Sequence, residues 1–195
     1  MNRFEFRIWG DDLSAIEQKL ATLAGAAQSV ESKEIYFVAG ASDDCTAKIR
    51  SALLDIKVLL KIERRLEQWS PILKSDFPIA AAAIDQLFKA LKLEAPHLPK
   101  DVYTMDEFLN DEIESNRQIA IVKVHKRRNQ FKLDDCQAEF SPVTINDIPR
   151  QTVAVESEDP DQVLAMIDQL GIRTEPNVGY VREIKRLLSI LPRES

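Results

Sequence analysis

What this sequence has little of narrows its function first. Five glycines in 195 residues are too few for a phosphate loop, and neither GxxxxGK[ST] nor GxGxxG occurs. With two His and two Cys there is no zinc-type cluster, so any metal is expected to be a hard ion held by oxygen ligands. The N-terminal Met-Asn-Arg-Phe-Glu-Phe-Arg carries charge where a signal peptide needs an apolar stretch. Cys45 and Cys136 could pair, but without such a signal they are expected to be reduced thiols of a cytoplasmic protein. No run of about 18 apolar residues exists, so no membrane span is expected. The net charge of −6 argues against a broad nucleic-acid surface while leaving room for a local basic pocket. Internal repeats and low-complexity segments are missing, and the length suits one domain, 1–195, with a sizeable core.

What is present is alternation. From Asn2 to Gly10, Phe4, Phe6 and Ile8 oppose Arg3, Glu5, Arg7 and Trp9, which predicts a strand. Asp11 and Asp12 can cap a following helix to about Ala26, and Glu34–Ala39 reads as a second strand closed by Gly40–Asp44. At Ala47–Arg50, Lys48 and Arg50 share one face. After a tight turn at Ser51-Ala52, Leu54, Ile56 and Val58 oppose Asp55 and Lys57. Ile62–Trp69 continues with Glu63, Arg65, Glu67 and Trp69 on one face. The stretch 47–60 also fits a helical period through Ile49, Leu53, Ile56 and Leu60, and that alternative stays open.

Pro71–Pro78 reads as a break, followed by a helix to about Leu93. A proline-bearing link, Glu94–Lys100, leads to a capping box of Thr104 with Glu107. Strand periodicity returns in Gln118–Arg128, with Ile119, Ile121, Lys123, His125 and Arg127 facing one way, and in Asp134–Phe140, where Gln137 and Glu139 oppose Cys136, Ala138 and Phe140. In Gln151–Glu158, Glu156 and Glu158 stand on one face about 7 Å apart. A helix from Pro160 to Gly171 and a last one ending at Leu191 and Pro192 complete the chain. Strands, a helical interruption at about 78–115, and strands again describe an antiparallel α+β protein.

The polar faces pool into bases (Arg3, Arg7, Lys48, Arg50, Lys57, Arg65, Lys123, His125, Arg127) and acids (Glu5, Asp55, Glu67, Glu139, Glu156, Glu158). Alternation alone fits an open sheet wet on one side as well as a barrel with its polar face inward. The density of charge, with few Thr, Ser or Gln to dilute it, favours the barrel. A lining of unpaired buried charge is costly and persists when a highly charged ligand needs it. Guanidinium and ammonium groups would neutralise a polyphosphate, and carboxylates would hold a bridging Mg²⁺ or Mn²⁺.

The order of short motifs resembles the CYTH domain, the triphosphate tunnel metalloenzymes: Phe-Glu-Phe-Arg at the start, Lys-Ile-Arg at 48–50, Leu-Asp-Ile-Lys at 54–57, Val-Lys-Val-His-Lys-Arg at 122–127, Ala-Glu-Phe at 138–140 and Val-Glu-Ser-Glu at 155–158, with Tyr180 in a closing helix. The resemblance implies an eight-stranded antiparallel β-barrel with helices packed outside, 78–115 being a helical insertion. It implies a divalent metal, Mg²⁺ or Mn²⁺, on Glu5, Glu139, Glu156 and Glu158. It implies a phosphate clamp of Arg7, Lys48, Arg50, Lys57, Lys123 and Arg127, with Arg65, and catalytic roles for Glu139, Glu156 and Lys57. The expected activity is metal-dependent hydrolysis of tripolyphosphate, a nucleoside triphosphate or thiamine triphosphate. A degenerate tunnel that binds polyphosphate or nucleotide without turnover, and an adenylyl cyclase, are the alternatives. The expected partner is a triphosphate or polyphosphate small molecule rather than a nucleic-acid polymer or a membrane, with a homodimer left open. One departure matters: where the family's first strand reads Glu-x-Glu-x-Lys, this chain has Arg3, Glu5 and Arg7, which removes one metal ligand.

Overall fold

Alternating strands dominate the computed structural model, which describes residues 2–133 and 135–190. In chain order these are β1 (Arg3–Gly10), α1 (Ser14–Ala24), β2 (Gln28–Ala39), β3 (Cys45–Arg50), β4 (Leu53–Glu63), β5 (Leu66–Asp76) and β6 (Ile79–Ala80). Then come α2 (Ala81–Ala90), β7 (Val102–Tyr103) and α3 (Met105–Glu107), which continues as a π-helical segment, Phe108–Ile113. The chain proceeds through β8 (Ile119–Leu133), β9 (Cys136–Ile145), β10 (Ile148–Ser157), α4 (Pro160–Leu170) and α5 (Tyr180–Leu188). Eight strands close into an antiparallel barrel in the order β1-β10-β9-β8-β2-β3-β4-β5, while β6 and β7 form a separate two-stranded ribbon. The fold is the α+β tunnel architecture that the motif order implies. Asp134, Leu191 and Pro192, named in two of the sequence expectations, lie outside the described residues.

The chain divides into two compact units. The first comprises Met1–Lys33, Leu59–Ser70 and Val124–Gly179. Its core joins Phe4, Phe6 and Ile8 of β1 to Ala138 and Phe140 of β9, Val153 and Val155 of β10, and the apolar stripe Val163, Leu164, Ile167 and Leu170 of α4. The alternating residues of each strand thus go to the helices, as their period of two dictates. Helix α4 has the ends read from its sequence: the Asp159 side chain accepts from the Asp161 N–H at 2.8 Å, and Gly171 closes it in the left-handed conformation (φ 77°).

The second unit comprises Glu34–Val58, Pro71–Lys123 and Tyr180–Ser195. Here Phe37, Ala47, Ile49, Leu54 and Ile56 pack on Ile84, Leu87 and Phe88 of α2 and on Phe108 and Ile113. Stretch 47–60 is β-structure, and its helical alternative is excluded: Arg50 faces Leu53 across a two-residue turn in which Ser51 and Ala52 have φ of 51° and 57°. The capping box of Thr104 and Glu107 is formed in both directions.

Three expectations change. Ile62–Trp69 is not one strand: Arg64 and Arg65 turn the chain with φ of 53° and 70°, ending β4 and starting β5. Pro71 does not break the chain: β5 runs through it from Leu66 to Asp76, and among the described residues it lies beyond the pairing of Trp69 with Arg3. The helix expected from Pro78 begins at Ala81, since Ile79 and Ala80 pair with Tyr103 and Val102 instead.

Candidate functional site

In the first unit the strand faces turned away from the helices carry nearly balanced charge. Glu5 lies directly opposite Glu156 on β10 and directly opposite Glu67 on β5, so three carboxylates stand in one row across three strands. Directly opposed like charges repel, and here cations separate them. The Arg3 guanidinium donates to Glu156 at 2.8 Å and to Gln137 at 2.9 Å. Arg7, 7% exposed, donates through Nε to Glu5 at 2.9 Å and through Nη1 to Thr152 at 3.3 Å. Glu67, 2% exposed, accepts from the Trp69 indole at 3.1 Å.

Glu139 on β9 shares this face. It accepts from Arg128 at 2.7 Å and from the Ser141 hydroxyl at 2.9 Å. Burial alone would raise its pKa, but Arg7, Arg128 and Lys126 around it hold the carboxyl at about 2. A carboxylate of that acidity is a weak proton acceptor at neutral pH.

A strap of chain before α5 fixes this face. Val178 N–H donates to the Arg7 carbonyl at 2.8 Å, Trp9 Nε1 donates to the Val178 carbonyl at 2.8 Å, and Asn177 bonds the Arg7 N–H at 2.8 Å and the Glu5 carbonyl at 3.0 Å. The strap therefore satisfies backbone groups of β1 at and beyond the end of its pairing with β5. At its end a Cβ on Gly179 would sit 3.2 Å from Glu67 Oε2, so a side chain there would press on a buried carboxylate.

In the second unit the equivalent face centres on Glu34, 2% exposed and directly opposite Arg50. Its carboxylate takes Lys48 Nζ at 3.0 Å and Arg50 Nη1 at 3.7 Å. Burial lowers the Lys48 pKa, and the charge of Glu34 works against that lowering. Lys48 faces Tyr36 on one side and Asp55 on the other, and its ammonium lies 5.5 Å from the Tyr36 ring centroid. Tyr180, at the start of α5, stacks on Tyr36 with centroids 5.5 Å apart. Lys185 of the same helix donates to the Gly40 and Ser42 carbonyls at 3.0 and 2.9 Å and to Asp43 at 2.6 Å.

These clusters gather most of the residues singled out from sequence. Glu5, Arg7, Glu139 and Glu156 lie on the first face, and Lys48, Arg50 and Lys57 on the second, Lys57 opposite Thr46. Four others stand elsewhere. Glu158 follows the end of β10 and is exposed. Arg65 sits in the β4–β5 turn, its guanidinium donating to the carbonyls of Arg173 at 2.9 Å and Glu175 at 2.7 Å. Lys123 and Arg127 are exposed on the opposite face of β8, as is His125, 3.8 Å from Glu31. Register shows why: Gln130 is opposite Glu139 and Lys126 opposite Val143, so the even-numbered residues of β8 share the Glu139 face. Lys126, 4% exposed, and Arg128 are the β8 cations of that face, and sequence reasoning passed over both, as it did Glu34. The basic run 123–128 concealed which parity points inward. The free thiols Cys45 and Cys136 are buried, one in each core, and burial pushes the Cys45 thiol up to about 12.

The donor set does not fit a divalent metal. Among the described residues no three His, Cys, Asp or Glu side chains are placed to hold one. The row Glu67, Glu5 and Glu156 has suitable chemistry, but Trp69, Arg7 and Arg3 each bond one of its carboxylates, so the cations of the face already neutralise much of its charge.

No family model and no curated protein matches the chain. Two solved structures share the fold. A conserved hypothetical protein from Pyrococcus furiosus superposes with a TM-score of 0.53 at 17% identity, over 93% of this chain and 98% of that one. The PH1012 protein of Pyrococcus horikoshii OT3 gives 0.53 at 18%, over 94% and 99%. HpAC1 from Hippeastrum, in which a dominant triphosphatase activity is reported, gives 0.45 at 13%, over 88% and 89%. No helix among the described residues is long and apolar enough to cross a membrane.

Proposed function

We propose that this chain binds a triphosphate-bearing small molecule on the charged faces of its sheet, using its own cations in place of a divalent metal. One observation carries the reading: Arg7 and Lys126 are buried, and Lys48 largely so, on strand faces turned away from the apolar cores, each set among carboxylates. Burying charge costs several kcal/mol per ion unless partners repay it. A polyanion that draws Arg and Lys away from their carboxylates supplies a reason for keeping them. Tripolyphosphate, nucleoside triphosphates and thiamine triphosphate all meet that description.

Metal-dependent hydrolysis, the activity that the sequence resemblance implies, is the second reading. Among the described residues, the in-register row of Glu67, Glu5 and Glu156 is the one place for it, and it requires those carboxylates to exchange their present donors, Trp69, Arg7 and Arg3, for a metal ion. Calorimetric titration with tripolyphosphate in EDTA, beside a phosphate-release panel with Mg²⁺ or Mn²⁺, separates the two. Binding unchanged by the chelator and no turnover are the expected results. Phosphate release that requires added metal establishes the hydrolase, and no binding of any triphosphate ends the proposal.

A further inference from the structure

Asp55 is a charged side chain of the second face that the binding reading does not use. It is 3% exposed, and its Oδ1 is buried and accepts no hydrogen bond among the described residues. Its place is fixed: on β4 it lies directly opposite Lys48, two residues before Lys57, with the flanking Leu54 and Ile56 committed to the core. The neighbouring cations are turned toward Glu34, which holds Lys48 at 3.0 Å and Arg50 at 3.7 Å. A buried carboxylate oxygen without a donor is costly, the more so when charged.

We propose that Asp55 receives a hydrogen-bond donor from the ligand, and that the ligand is therefore a triphosphate ester carrying N–H or O–H groups, as a nucleoside triphosphate does, rather than bare polyphosphate. This rests on the triphosphate-binding reading above. Ionised phosphate oxygens are acceptors and anions, so they repel Asp55 and cannot satisfy it. A hydroxyl or amino group can. Lys57 and Arg50, both only partly buried, remain available on the same face for phosphate. Asp55 and Lys57 are two residues apart on one strand, about 7 Å, so a single ligand can meet both. An acceptor beside cations thus selects a molecule with a donor beside its anion.

The test compares inorganic tripolyphosphate, methyl triphosphate and ATP by calorimetry in EDTA, on the wild type and Asp55→Leu. ATP is expected to bind wild type roughly tenfold tighter than methyl triphosphate, the strength of one hydrogen bond to a charged group. Asp55→Leu is expected to erase that difference while leaving methyl triphosphate within about threefold. Equal affinities of the two esters for wild type show Asp55 satisfied by buried water only and overturn the site, leaving the binding reading intact. A preference for ATP that survives in Asp55→Leu overturns it too. Failure of all three ligands to bind overturns the binding reading itself. If Asp55→Leu does not melt cooperatively, Asp55→Asn, which keeps the shape, takes its place; it is expected to narrow the preference at least about threefold, and an unchanged preference overturns the site.

Discussion

Glu139 shows how one residue couples the charged face to stability. Its carboxyl sits at about 2, against an ordinary 4.5, because Arg7, Arg128 and Lys126 outweigh the burial that would raise it. A depressed carboxyl stabilises the fold above its unfolded pKa, and the contribution disappears as pH falls through the folded value. The window is therefore about pH 4.5 down to 2, and the shift corresponds to about 3 kcal/mol. Urea unfolding of Glu139→Gln between pH 5 and 2 is expected to lose about 3 kcal/mol less than wild type over that range. Parallel curves for the two proteins would show that the surrounding cations do not act on this carboxyl. The same residue marks a limit of sequence reading. Glu139 was legible by alternation, but its chief partner Arg128 was not, because six residues from Lys123 to Arg128 hold five basic side chains and either parity gives a charged face.

At the scale of elements, the sequence spoke clearly where turn or cap chemistry accompanies the period, as at Thr104 with Glu107 and at Gly171. It was silent where a turn is made of residues with no turn signature. Arg64 and Arg65 adopt left-handed backbone and are held by partners remote in sequence, Asp161 for one and the Arg173 and Glu175 carbonyls for the other. No local rule could announce that hairpin. The β3–β4 turn has the same conformation at Ser51 and Ala52, both exposed. Positive φ at both central residues is the geometry that Asn-Gly satisfies without steric cost. Replacing Ser51 by Asn and Ala52 by Gly is expected to stabilise the protein by about 1 kcal/mol, net of the entropy glycine adds to the unfolded chain. For a chain of this size that raises Tm by about 3 °C in a calorimetric scan. An unchanged or lower Tm would mean the turn is relaxed with its present residues.

For the whole molecule, the sheet order decides what closes late. The β3–β4 hairpin joins neighbours, Arg50 to Leu53, whereas β1 pairs with β10, Phe6 opposite Val155, across most of the chain. Period and composition identified nearly every strand and both apolar stripes, because each strand writes its own alternation. They could not supply register, which a strand shares with a partner far away, and so Glu34 opposite Arg50 and Gln130 opposite Glu139 emerged only from the structure. Long-range pairing also costs loop entropy before its contacts form. Interactions across β1 and β10 are therefore expected to be largely absent from the folding transition state, and those of the local β3–β4 hairpin largely present. Val155→Ala removes buried volume from the first core and Ile56→Val from the second, costing about 2 and 1 kcal/mol respectively. In stopped-flow chevrons, Val155→Ala is expected to act mainly by speeding unfolding, with a φ-value below about 0.3, and Ile56→Val mainly by slowing folding, with φ above about 0.5. The reverse ranking would place closure of the barrel at its distant edges ahead of the hairpin.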